Sequence, residues 1–297
     1  MKTKFYAFFL LMVLSVFGVS AKTQKVVNVV FNDGTATKTY ARANVDKITF
    51  STTTEGKLVN ITFRDDTEKV SFDRSKVQEI TFETVAVTSV TIGDMTFVDM
   101  GLSVWFATTN LGADAYNHSG DYYAWGMTEV SKNEAGSLYY HKDSYTWYDK
   151  STSAWTKYTT ANATLENTDD VAYVKSNGLY RIPTYDEWAE LAATYTNKVD
   201  HPNYSWVWTE SSDATELGGY TVTFKTTNQS IYLPACGLRQ DLNVNYLNQV
   251  GRYWSNSIEG TNTNNGYNFY SDQKGVSAKN GAGRFVGIQI RPVAVVE

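Results

Sequence analysis

Residues 27–50 and 59–82 align without a gap at a spacing of 32. Val27, Asn28, Phe31, Asp33, Thr35, Arg42, Val45, Ile48, Thr49 and Phe50 recur as Val59, Asn60, Phe63, Asp65, Thr67, Arg74, Val77, Ile80, Thr81 and Phe82. Ten identities over 24 positions mark a duplication, and a duplication restricts the fold: both copies must make the same elements. In each, apolar residues alternate with polar ones, as in Val27, Val29 and Phe31, the period of a half-buried strand. Asn32-Asp33-Gly34 supplies turn chemistry in the first copy, and Arg64-Asp65-Asp66 replaces it in the second. Each unit therefore reads as strand, turn, strand, short connection, strand. A lone hairpin of this size is marginally stable, so the copies are expected to pack together or to pair in one sheet. The duplicated β-repeat is placed at 22–84, followed by a linker at 85–95.

Ahead of the repeat, residues 1–21 read as a signal peptide. Lys2 and Lys4 precede an apolar run from Phe5 to Val19, and Val19-Ser20-Ala21 places small residues at the −3 and −1 positions of a cleavage site. The run is shorter than the roughly 20 residues a spanning helix needs, and no later run approaches that length. The expectation is an exported chain (periplasm, cell surface or exterior) without a transmembrane segment in its mature form. Removing residues 1–21 takes two lysines and moves the formal charge from −5 to −7. An acidic chain repels phosphate backbones, so nucleic acid is not expected as a partner. Cys236 is the one cysteine. It can make no internal disulfide, and no cysteine follows the apolar run to carry a lipid anchor. Among small and apolar neighbours in Leu233-Pro234-Ala235-Cys236-Gly237, it reads as a buried small side chain.

Beyond the linker, from 96 to 297, the composition turns aromatic: all eight tryptophans lie between Trp105 and Trp254. Arg181-Ile182-Pro183-Thr184-Tyr185-Asp186-Glu187-Trp188 carries a helix start, because Thr184 and Glu187 have capping-box spacing and Pro183 and Trp188 flank it at staple positions. Trp188, Leu191 and Tyr195 then fall on one helical face. A shorter helix is predicted from Asp169 to Lys175, capped by Thr168 or Asn167 and stopped at Gly178. Tyr220–Phe224 and Ser230–Pro234 read as paired strands around a turn at Asn228. Gly251–Ser255 and Gly287–Val293 read as further strands.

The motifs Phe97–Ala107 (FVDMGLSVWFA), Tyr122-Tyr123-Ala124-Trp125-Gly126, Arg181–Trp188, Leu233–Arg239, Gly251–Ser255 and Ile290-Arg291-Pro292-Val293 occur in an order that resembles the Fibrobacter major paralogous domain family, found in exported proteins of Bacteroidetes and relatives. The repeat likewise resembles short β-repeats that precede larger domains in such proteins. The resemblance implies an α+β, C-type lectin-like fold: irregular antiparallel sheets, one or two helices, long loops, and termini on adjacent strands. Arg181, Thr184, Glu187, Trp188, Trp254 and Arg291 are expected to be structural.

The functional expectation is a noncatalytic binding or adhesion module for glycans or surface proteins, with a structural subunit of a surface assembly as the alternative. Aromatic faces pack on sugar C–H surfaces and amides bond hydroxyls, which selects Trp206, Trp208, Asn243, Asn245, Asn248 and Asn256. Trp105, Trp125, Trp188 and Trp254 are assigned to the core. No cofactor, metal or catalytic residue is expected. The C-type lectin calcium motifs are missing, and His201-Pro202-Asn203 offers an imidazole where a hard cation needs a carboxylate. Formylglycine-generating relatives use paired cysteines, which one Cys236 cannot supply. His118, His141 and His201 lack metal-ligand spacing, and no nucleophile elbow or phosphate loop is present.

Overall fold

The structure, a computed structural model, describes residues 23–41, 45–54, 56–63, 69–196 and 201–296. The predicted signal peptide, Arg42 and the second-copy turn at Arg64-Asp65-Asp66 lie outside the described residues. The chain divides between Ala86 and Val87 into two compact units. Both are built mainly from small antiparallel sheets.

The first unit holds β1 (Thr23–Phe31), β2 (Lys38–Ala41), β3 (Val45–Thr53), β4 (Gly56–Phe63), β5 (Lys69–Asp73) and β6 (Val77–Ala86), three strands for each copy. The copies do not form separate sheets. One sheet runs β2-β1-β6 and the other β3-β4-β5, so each copy contributes two strands to its own sheet and its third strand to the other copy's. Locally, the β3–β4 hairpin crosses the copy boundary, with Thr53 opposite Gly56. The counterpart pairing of β1 with β6 closes the unit over the whole length of the duplication, with Val29 opposite Ile80. Both sheets feed one core of Val27, Val29, Val45 and Ile61, with Phe31, Ile48, Phe63, Phe72, Val77 and Ile80 packed against it. Equivalent positions sit in equivalent places: Val29 with Ile61, Phe31 with Phe63, Val45 with Val77, Ile48 with Ile80. Asn60 is buried despite its polarity. Its amide donates to Ser51 Oγ at 2.9 Å and accepts from Ser71 Oγ at 2.7 Å.

The second unit opens with β7 (Ser89–Ile92), β8 (Met95–Val98) and β9 (Trp105–Ala107). The expected linker at 85–95 is therefore corrected: β6 runs through Ala86, and β7 and β8 pair from Ser89 opposite Val98 to Ile92 opposite Met95. Val90 and Ile92 alternate with Ser89 and Thr91 and pack on the core. Gly93, at φ 61°, starts the two-residue turn between the strands. Next come β10 (Tyr148–Asp149), β11 (Ala154–Trp155), α1 (Val171–Lys175), α2 (Tyr185–Ala193), β12 (Tyr204–Thr209), β13 (Gly219–Phe224) and β14 (Gln229–Pro234). The chain ends with β15 (Leu238–Gln240), β16 (Asn243–Asn245), β17 (Val250–Ile258), β18 (Asn265–Asp272), β19 (Gly275–Gly283) and β20 (Val293–Ala294). Strand β20 pairs with β9, so the last strand of the unit joins the sheet begun by its first, in the order β20-β9-β8-β7. Among the described residues no helix is long and apolar enough to cross a membrane.

Helix α2 follows its sequence signature. Thr184 Oγ1 accepts the Glu187 N–H at 3.1 Å, and Glu187 Oε2 accepts the Thr184 N–H at 2.8 Å. Glu187 also takes both terminal nitrogens of Arg181. Burial alone would raise this carboxyl, but Arg181 and the Thr184 N–H outweigh it and hold Glu187 below its ordinary value. The shorter helix starts later than predicted. Asn167–Asp169 is a separate 3-10 turn, and the cap is Asp170, which accepts the Tyr173 N–H at 3.0 Å. The same carboxylate accepts the Ile182 N–H at 2.9 Å, tying α1 to the strap that leads into α2. Asn177 and Gly178, both at positive φ, end α1. The segment Gly287–Val293, expected as one strand, makes mostly single bridges: Gly287 to Arg239, Ile288 to Tyr123, Gln289 to Tyr253 and Val293 to Arg181. It threads between several partners, so no ladder forms until β20.

The motif residues meet one another inside the second unit. Trp105, Trp125, Trp188 and Trp254 are fully buried. A buried indole must place its one N–H on an acceptor. Trp254 Nε1 donates to the Tyr123 carbonyl at 2.7 Å, Trp188 Nε1 to the Trp254 carbonyl at 3.1 Å, and Trp125 Nε1 to the Ser255 carbonyl at 2.9 Å. Tyr253 donates its hydroxyl to the Pro234 carbonyl at 2.6 Å. Arg291, also fully buried, bonds the carbonyls of Ala107 at 3.0 Å and Tyr232 at 2.6 Å. Trp188 stacks on Phe269 with centroids 4.7 Å apart, fixing α2 on the β17-β18-β19 sheet. At Gly101 (φ 67°) a β-carbon would lie 2.6 Å from the Phe224 ring, so the Met100-Gly101-Leu102 turn accepts no side chain.

Candidate functional site

The pleat of β12 puts Trp206 and Trp208 on one side and exposed Val207 on the other. Strand β13 lies beside them in register, with Trp206 opposite Val222 and Trp208 opposite Tyr220. The two tryptophans differ in what holds them. Trp206 donates its indole N–H to Thr194 Oγ1 at 2.9 Å. Its ring meets Tyr195 at 5.7 Å, Tyr220 at 5.4 Å and Phe269 at 6.4 Å, which fastens it to the core below α2. Trp208 touches Tyr220 edge-on at 5.0 Å. Among the described residues its indole N–H has no acceptor. It is half-buried, and it lines two cavities at once.

The first of these, about 380 Å³, is walled by Tyr195, His201, Tyr204, Trp206, Trp208 and Tyr220. The second, about 400 Å³, joins Trp208 and Val250 to the polar residues Glu210, Ser211, Asn248, Gln249, Asp272, Gln273 and Lys274. Glu210 accepts from Gln273 Nε2 at 2.9 Å. Asp272 accepts the Lys274 and Gly275 N–H groups and the Tyr270 hydroxyl at 2.9 Å, which sets the β18–β19 turn that forms one wall. Burial, and then the hydrogen bond with Tyr195, push the Tyr220 phenol above its ordinary value, so it is a neutral group beneath Trp208. An aromatic face bordered by carboxylates and amides can stack on an apolar ring face and bond its hydroxyls at the edges.

Of the six residues selected from sequence, the structure brings Trp206, Trp208 and Asn248 together and leaves the others elsewhere. Asn248 serves as a clasp: its Oδ1 accepts the Gly218 N–H at 2.8 Å and its Nδ2 donates to the Asp213 carbonyl at 2.5 Å, closing the 211–218 loop. It sits at φ 61°, a conformation asparagine tolerates. Asn243 and Asn245 lie on β16 opposite Gln240 and Leu238, and neither lines the two cavities. Asn256 is held through its backbone to Pro183 and Leu165 and through its side chain to Ser257 Oγ, beside the start of α2. These three are corrected as members of the site. Sequence reasoning missed Glu210, Asp272 and Gln273. The Asp272-Gln273-Lys274-Gly275 turn signature marks a hairpin, but nothing local says which strand it folds against.

Two other places hold reactive side chains. A cavity of about 380 Å³ is lined by Glu129, His141 and Ser144. There His141 Nδ1 accepts the Asp143 N–H at 3.1 Å and Ser144 Oγ donates to the His141 carbonyl at 2.9 Å. Both groups thus cap a turn, and serine and imidazole are not paired as nucleophile and base. Cys236 is fully buried, burial pushes its thiol up to about 12, and Asn110 Nδ2 points at the sulfur from 3.7 Å. A thiol so placed is neutral and shielded.

Comparisons of the chain with protein-family models, with curated proteins and with solved structures find no match.

Proposed function

We propose that the second unit is a C-type lectin-like major paralogous domain that recognises a glycan without catalysis, carried on an exported two-part protein. Trp208 carries this reading. A half-buried indole whose N–H has no acceptor among the described residues, lining two cavities at once, is built at the surface and left open there. The core motifs support the family assignment by their mutual contacts, and β20 beside β9 agrees with termini on adjacent strands. The test is a glycan-binding screen with the full chain, repeated with Trp208→Ala and Trp206→Ala. The expected loss for Trp208→Ala is about tenfold in affinity or more, with little change in melting temperature. Trp206→Ala should lower both binding and stability, since its ring also holds Tyr195 and Thr194. Binding unchanged by both substitutions would remove the proposal.

A second reading, a structural subunit whose β-repeat docks to an assembly, has its own support. Phe50 and Phe82 are identical in the two copies, and they stand 60% and 66% exposed.

A further inference from the structure

Four arginines of the second unit, Arg239, Arg252, Arg284 and Arg291, have a buried Nε with no acceptor, and none has a carboxylate within ion-pair distance among the described residues. Each lies over an aromatic ring: Tyr122, Tyr270, Trp155 and Tyr253 respectively. Three of them use their terminal nitrogens inside the protein. Arg252 donates to Asn268 and Asn280, Arg284 to the Lys157 and Tyr158 carbonyls, and Arg291 to the Ala107 and Tyr232 carbonyls. Arg239 differs. Among the described residues its side chain makes no hydrogen bond, its terminal nitrogens are not buried, and it lines a cavity of about 570 Å³.

That guanidinium is held in place. Arg239 lies on β15 opposite Val244 of β16, and its N–H and carbonyl pair with Gly287 at 2.8 and 2.9 Å. Its head sits 5.1 Å from the Tyr122 centroid, and the Tyr122 ring is itself pinned by a 2.6 Å bond from its hydroxyl to the Cys236 carbonyl. Val130, Leu138, Val244 and Leu247 form apolar walls, and Lys132 adds a second cation. The acid present is Asp121, which accepts the Tyr123 hydroxyl at 3.1 Å and makes no ion pair with Arg239. A fork of donors with no acceptor among the described residues, lining a cavity with apolar walls, matches a planar anion on an apolar body.

We infer that the cavity over Tyr122 is a binding site for an apolar carboxylate, with Arg239 receiving the carboxylate. The site shares no lining residue with the two Trp208 cavities and does not rest on the glycan reading.

The test titrates the full chain by heteronuclear NMR with 4-methylpentanoate, with the tripeptide acetyl-Gly-Gly-Leu as free acid, and with the same tripeptide as C-terminal amide. Expected is saturable binding of an acid, at least about tenfold weaker binding of the amide, and shifts centred on residues 119–122 and 239–247. Tighter binding of the tripeptide acid than of the short acid identifies a peptide C-terminus as the source; equal binding identifies a free organic acid. Arg239→Gln should remove the acid-over-amide preference, and Lys132→Ala should weaken it a few-fold, more so at low salt. The acid–amide comparison on the unaltered chain needs no variant to fold. Equal binding of acid and amide, or no binding of either acid at millimolar concentration, would overturn the inference.

Discussion

The two units bury their interiors by different means. The first uses aliphatic side chains at duplicated positions, such as Val29 with Ile61 and Val45 with Val77. The second uses large rings whose single N–H or O–H reaches a carbonyl far away in sequence, as Trp254 reaches Tyr123. Aliphatic contact is non-directional, so equivalent strands fit either sheet, and the copies can exchange their third strands without loss of packing. A buried indole N–H pairs only with an acceptor at the right distance and angle, so Trp125, Trp188 and Trp254 each specify one carbonyl. Repetition makes the first interior permissive, and buried polar groups make the second exclusive.

The largest expected effect tests that exclusivity. Trp254→Ala empties the space of a fully buried ring and takes from the Tyr123 carbonyl one of its two donors, leaving the Ile288 N–H. It should cost about 3–5 kcal/mol in the second unit and leave the first unchanged. Tryptophan fluorescence during chemical denaturation follows the second unit, where all eight tryptophans lie, and amide exchange follows the first. Equal loss of protection in both units would show that the two interiors are not independent.

A smaller effect sharpens the account of the repeat. Val29→Ala and Ile61→Ala remove equivalent side chains from opposite sheets of one core, and each should cost about 2–3 kcal/mol. Amide exchange should show both sheets weakened by either substitution, because each sheet holds strands of both copies. Loss confined to one sheet would mean that the copies are separate after all.

The smallest concerns Glu187, where one carboxylate serves both cap and ion pair. Glu187→Gln should cost about 1–2 kcal/mol at neutral pH, less than a fully buried pair because Arg181 is partly exposed. The folded carboxyl lies below its ordinary 4.5. Its stabilisation is therefore complete above pH 4.5 and fades as the pH falls through the lower folded value. Urea midpoints measured from neutral to acid pH should show wild type and variant converging at the acid end. Curves that stay parallel would show that Glu187 contributes through shape alone.

How much of this was legible depends on the range of the interaction. The capping box at Thr184 and Glu187 spans three residues, and the hairpin around Asn228 joins neighbours, so both could be read directly. The start of α1 was misplaced because Asp170 is fixed by Ile182 as well as by its own helix. The linker at 85–95 was misread because Val90 and Ile92 give too short an alternation to announce strand β7 without its partner β8. At the site, the alternation of Trp206 and Trp208 was visible. The asparagines were not separable by type, since clasp, strand surface and helix-entry strap all use the same amide.

The duplication, the three strands of each copy, the capped helix and the burial expected of Trp105, Trp125, Trp188 and Trp254 follow from residue order alone. That the third strands exchange, that Trp206 is fastened while Trp208 stays open, and that Arg239 alone among four aromatic-stacked arginines makes no side-chain hydrogen bond among the described residues needed the folded chain. Local signals follow from bonds between residues a few positions apart, which the order of the chain fixes. Which polar group finds an acceptor depends on segments from about a dozen to more than a hundred residues away, as Trp206 with Thr194 and Trp254 with Tyr123, and only the folded chain brings those together.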